Sequence, residues 1–133
     1  MGFTGPIEDR LAIRELIDQY NDAVTRFDVD DWRDTWAEDA SWELLGNAVQ
    51  GRDAIVELWL KTMQQLEFVI FQAAPGAIEV SGDTATGRAY AVELFQPRGG
   101  TRSQMHGRYD DTYTRRDGRW RFSSRRYQVL SQS

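Results

Sequence analysis

His106 is the only histidine in the chain, and its side chain is the one whose unperturbed pKa lies near neutrality, so a proton-transfer reaction would naturally recruit it. Asp111 is the second candidate. It stands two residues from Tyr109 and two from Tyr113, so in an extended strand all three share one face, and burial among phenols would lift a carboxyl toward the range of a working acid or base. A salt bridge from Asp111 to Arg126 or Arg88 is the competing reading. Asp28 is either a third acid/base group or a helix N-cap, the second reading being supported by Asp31 three residues later and Trp32 after it. Tyr20 and Tyr90 supply phenols able to polarise a carbonyl, or else serve as core aromatics with one hydrogen bond each. Trp42, Trp59, Phe68 and Phe71 are rings that line a ligand cavity or simply fill a core.

Composition removes several other chemistries. There is no cysteine, so disulfides, thiolate metal sites and cysteine nucleophiles are excluded. One histidine and paired aspartates without a recognisable ligand loop leave no metal site, and no phosphate-binding glycine pattern occurs, so no cofactor is expected. A net charge of -5 disfavours nucleic acid and anionic membrane as partners, despite a local basic run from Arg115 to Arg126. The first residues lack the apolar core of a secretory signal, and no apolar run approaches membrane-spanning length, which predicts a cytoplasmic protein. The 133 residues, 41% hydrophobic, suit one domain over 1–133.

The elements that must position these groups follow from periodicity. Gly5-Pro6 followed by Glu8 marks a helix start, and Ile13, Leu16, Ile17, Tyr20, Val24 and Phe27 then recur at three- and four-residue steps. A short segment after Asp28 carries Trp32 and Trp36 four apart. Ser41 to Leu45 alternates as a strand, and a third helix runs from about Asp53 to Leu66. Beyond it the period changes to two, with turns expected at Pro75-Gly76, at Ser81-Gly82-Asp83 and in the loop after Phe95. Asp117-Gly118 between aromatic and Thr-rich runs predicts a type I′ hairpin. Its register would pair Arg115 with Trp120, Tyr113 with Phe122, Asp111 with Ser124 and Tyr109 with Arg126, leaving His106 on the opposite face unless Gly107 introduces a bulge. In Ala85 to Phe95 one face, Ala85, Gly87, Ala89 and Ala91, is small enough for close helix packing, and the other holds Arg88, Tyr90, Val92 and Leu94. The expected class is α+β, three helices on an antiparallel or mixed sheet.

The order of elements, with Tyr20, the WAEDASW segment, Gly51 to Ile55, the VSGDTATGRAY run and GRYDDTYTRRDGRWRFSSRR, resembles the SnoaL-like branch of the NTF2-like superfamily. That resemblance implies a strongly curved sheet around a conical pocket, a small hydrophobic or aromatic ligand, and cofactor-independent dehydratase, isomerase or cyclase chemistry by general acid/base catalysis. Dehydratase-type relatives use an Asp near the end of the first helix and a His on the strand after the third. Counting back from WAEDASW without gaps places the first on Thr25, and a gapped count places it on Asp28. The second falls between Ile70 and Gln72. Neither member of the dyad is found on the ungapped count, so a non-enzymatic binding or interaction module stands beside the enzyme reading. The resemblance further implies a homodimer through the Arg-rich sheet face.

Overall fold

The switch of hydrophobic period after the third helix divides the molecule into a helical layer and a sheet. The computed structural model describes residues 2–133, in the order β1 (Phe3–Thr4), α1 (Ile7–Arg26), α2 (Val29–Asp34), β2 (Trp36–Leu44), β3 (Asn47–Gln50), α3 (Arg52–Gln64), β4 (Leu66–Ser81), β5 (Thr84–Pro97), β6 (Ser103–Arg116) and β7 (Arg119–Gln132). The strands form one seven-stranded sheet in the order β1-β4-β5-β6-β7-β2-β3. The pairs β1·β4 and β2·β7 are parallel and the remainder antiparallel. This is the α+β architecture expected.

Helix α1 buries Ile13, Leu16, Ile17, Tyr20, Ala23 and Val24, the stripe read from its three- and four-residue steps. Phe27 departs from it, because as the left-handed cap at φ 55° it turns outward and remains 46% exposed. Asp28 caps α2, its Oδ1 accepting from the Asp31 amide at 3.0 Å. Trp36 lies not in that helix but at the start of β2, since α2 ends at Asp34. The indoles of Trp32 and Trp59 stack with centroids 4.3 Å apart and planes 6° from parallel, tying α2 to α3.

Pro75-Gly76 is not a turn. Strand β4 runs through it, with Pro75 opposite Ala89 and Ala77 opposite Arg88, so that Gly76 is an extra, bulged residue. Proline is tolerated at such a point because no ladder hydrogen bond is required of its nitrogen. The ring of Tyr90 covers this bulge, 2.9 Å from where a side chain on Gly76 would begin.

The Asp117-Gly118 turn has φ of 53° and 74°, as a type I′ hairpin requires. Arg115 faces Trp120 and Tyr113 faces Phe122, as read from the sequence. Beyond that the pairing shifts, because Ser123 is an extra residue in β7 and Asp111 faces Arg125, not Ser124, while Tyr109 faces Tyr127, not Arg126. A strand changes the face of every later residue when its register slips by one. The bulge therefore turns Arg125 and Tyr127 to the helical side.

Arg125 and Asp111 are both fully buried there, joined by guanidinium hydrogen bonds of 2.8 and 3.1 Å. Tyr113 donates to the same carboxylate at 3.1 Å. The guanidinium carbon sits 3.8 Å from the centre of the Tyr109 ring, 4.2 Å from Phe122 and 4.4 Å from Tyr20. Its Nη1 has no hydrogen-bond partner among the described residues, and the aromatic faces take the place of an acceptor. Asp111→Ala should cost about 3–5 kcal/mol by leaving a buried guanidinium uncompensated, whereas replacing the pair together by Leu at 111 and Met at 125 should cost much less. Urea denaturation midpoints of the three proteins check this ordering.

Candidate functional site

Between the helices and the sheet the aromatic core leaves a cavity of about 160 Å³. Helix α1 contributes Tyr20 and Val24, and α3 contributes Trp59, Thr62 and Met63. From the sheet come Trp42 and Leu44 of β2, Leu66 and Phe71 of β4, Met105 and Tyr109 of β6, and Tyr127 of β7. The remaining lining residue is Glu93 of β5, the one ionisable side chain other than the three tyrosines.

Glu93 reaches the cavity because it continues the small face of β5, two residues beyond Ala91 and directly opposite Phe71. No hydrogen bond or ion pair to its carboxylate is found among the described residues. Burial pushes its pKa above the ordinary carboxylate value, with no donor to draw it back. The phenols around it move the same way, burial raising Tyr20 and lifting Tyr127 to about 12. Arg125 and the Tyr109 hydroxyl partly offset the rise at Tyr20. Trp42 adds a second unused polar group, since its buried indole N–H has no acceptor among the described residues. Tyr127 can lie over β6 because residue 107 is glycine, where any Cβ would collide with its ring.

Of the residues singled out from the sequence, Tyr20, Trp42, Trp59 and Phe71 come together at this cavity. The others do not. His106 lies on the outer face of the sheet, paired with Val92 and Ser131, while its neighbours Met105 and Gly107 point inward. The irregularity beside Gly107 adds its extra residue to β7 at Leu130, so it leaves the parity of β6 unchanged and His106 outside. Tyr90 is likewise on the outer face, 47% exposed, as the alternation from Arg88 to Leu94 required. Asp111 is buried but spent on Arg125 and Tyr113. Burial raises its pKa, with the guanidinium pulling the other way. Asp28 is held as a cap, and its pKa is lowered chiefly by the Asp31 amide.

Thr25 is where the ungapped count places the family's Asp, and Phe71 lies within the Ile70 to Gln72 stretch where its His falls. They do meet, but through the Thr25 hydroxyl accepting the Phe71 backbone amide at 3.0 Å. This bond fastens α1 to β4 and carries no exchangeable charge. Sequence reasoning missed Glu93, Arg125 and Tyr127. Glu93 was one step of two beyond Ala91 on the packing face, whereas nothing local announced the bulge that turns the other two inward.

The sequence pattern of the SnoaL-like domain matches residues 6–126. The chain belongs to this family. No curated protein sequence matches it. Among solved structures, this SnoaL-like domain is similar to a proposed aromatic ring hydroxylase from Novosphingobium aromaticivorans, 28% identical over 98% of this chain and 95% of that one, with a TM-score of 0.89. Rv3472 of Mycobacterium tuberculosis, of unknown function, is 26% identical over 93% of this chain and 77% of its own, at a TM-score of 0.83. The hexachlorocyclohexane dehydrochlorinase LinA-type3 of Novosphingobium barchaimii LL02 shares the fold at 22% identity, 96% and 90% coverage and a TM-score of 0.86. Among the described residues, no helix of the SnoaL-like domain is long and apolar enough to cross a membrane.

A carboxyl whose folded pKa is raised stabilises the protein below its unfolded value and forfeits that contribution as pH rises through the folded value. With the ordinary glutamate value at 4.5, the window opens there and extends upward. Glu93→Gln should therefore leave stability at neutral pH equal to or above wild type and flatten this part of the stability–pH curve. Thermal denaturation of both proteins from pH 4 to 8 checks it.

Proposed function

We propose that this SnoaL-like domain holds a small hydrophobic or aromatic molecule in its aromatic cavity and moves a proton to or from it through Glu93, as a cofactor-independent lyase or isomerase. The observation that carries the reading is a carboxyl with no hydrogen-bond or ion-pair partner among the described residues, in a chamber lined mainly by rings and aliphatic groups. A general base must reach the proton it takes and must hold a pKa closer to neutrality than a solvated carboxylate does. His106 and Asp111, the sequence candidates for this role, lack access to the cavity. Tyr20 stands as the hydrogen-bond donor for a substrate oxygen, with the Tyr109 hydroxyl donating to it and the Arg125 charge against both rings.

The volume limits the guest. An apolar cavity of about 150 Å³ holds one benzene, so the 160 Å³ here suits a single ring. The acid–base chemistry that fits is loss of halide or water, or a double-bond shift, from a small ring with an acidic C–H. The test is a screen of such compounds by halide release, water loss or isomer formation. Turnover should fall by about 10²–10⁴-fold in Glu93→Gln, and equal turnover in the variant overturns the role of Glu93.

A binding module without catalysis is the second reading, favoured by the Thr25 to Phe71 hydrogen bond where the ungapped count places the family dyad. Under it, ligands bind the wild type and no compound is turned over. For the assembly we propose a homodimer through the outer sheet face, where exposed Tyr90 and Val92 adjoin the Arg108–Asp110 pair. Sedimentation should show a dimer for the wild type and a monomer for Val92→Arg.

A further inference from the structure

We infer that the cavity selects one-ring molecules bearing a positively charged amine, whose ammonium group sits against the Glu93 carboxylate within the surrounding aromatic faces. This rests on the cavity being the ligand site, as proposed above. Its lining brings a single acid and six aromatic rings together and includes no lysine, arginine or histidine. The nearest buried cation, Arg125, is already matched by Asp111, so the carboxylate of Glu93 is the charge left for a guest to meet. A cation placed over Trp and Tyr faces is attracted by the ring quadrupoles, most strongly where water is excluded. An anion would meet the same faces and the same carboxylate with the opposite sign. The carboxylate meeting an ammonium stays ionised, which is also the form that accepts a proton, so selection and the proposed chemistry call on one state of Glu93.

The groups facing Glu93 do not compete with it as pH changes. From α1, β6 and β7 these are the phenols of Tyr20, Tyr109 and Tyr127, all raised further by burial. From α3 the facing residues are Trp59, Thr62 and Met63, and from β4 Phe71, none of which titrates.

The test uses three molecules of nearly the same shape, benzylamine, benzyl alcohol and benzoate, titrated against the whole protein while the fluorescence of the cavity tryptophans is followed. At pH 7 benzylamine should bind on the order of tenfold more tightly than benzyl alcohol, and benzoate more weakly than either. In Glu93→Gln the amine should lose its advantage while benzyl alcohol binds as before. The same levelling should appear in the wild type on acidification to pH 4, which keeps the test decisive if the variant fails to fold. Equal binding of amine and alcohol by the wild type at pH 7, or a preference that survives in Glu93→Gln, overturns the selection and leaves the cavity standing as a ligand site. Binding of none of the three overturns both.

Discussion

The interior depends on one buried ion pair and on the bulge that delivers half of it. A fully desolvated arginine survives only with a carboxylate in register, and Asp111 meets Arg125 across the β6–β7 ladder only because Ser123 is an extra residue. In the unbulged register Asp111 would face Ser124, and a carboxylate would lie buried with no cation beside it. The rings packed on the guanidinium, Tyr20 from the first helix and Tyr109 and Phe122 from the sheet, inherit their positions from this contact. It orders the layer of side chains that forms one wall of the cavity.

Glu93 contrasts with that pair. Asp111 is fully buried and matched by a cation and a phenol, whereas Glu93 is only part-buried and has no hydrogen bond or ion pair among the described residues. A carboxyl kept at a cost to stability beside a cavity is the arrangement expected where function and stability pull apart. The two acids lie on neighbouring strands and the same face of the sheet, one committed to the buried ion pair and the other lining the cavity.

Much of the fold was legible. The Asp-Gly turn, the stripe on α1, the Asp28 cap and the alternation in β5 each rest on local chemistry that a sequence displays. Other features were not read from it. Bulges at Gly76 and Ser123 are settled by what the strand must face across the sheet, and Ser123-Ser124 carries no local mark of one. Trp36 continued a four-residue spacing that ends when the chain enters β2. His106 drew attention by residue type although strand parity already placed it outside, and Glu93 was overlooked although the same parity placed it within.

Gly107 sets a boundary of a different kind. Because the Tyr127 ring rests on its bare backbone, the place of one cavity wall depends on a single missing methyl group. Any larger residue would lever the phenol away from the β6 strand and reshape that side of the chamber.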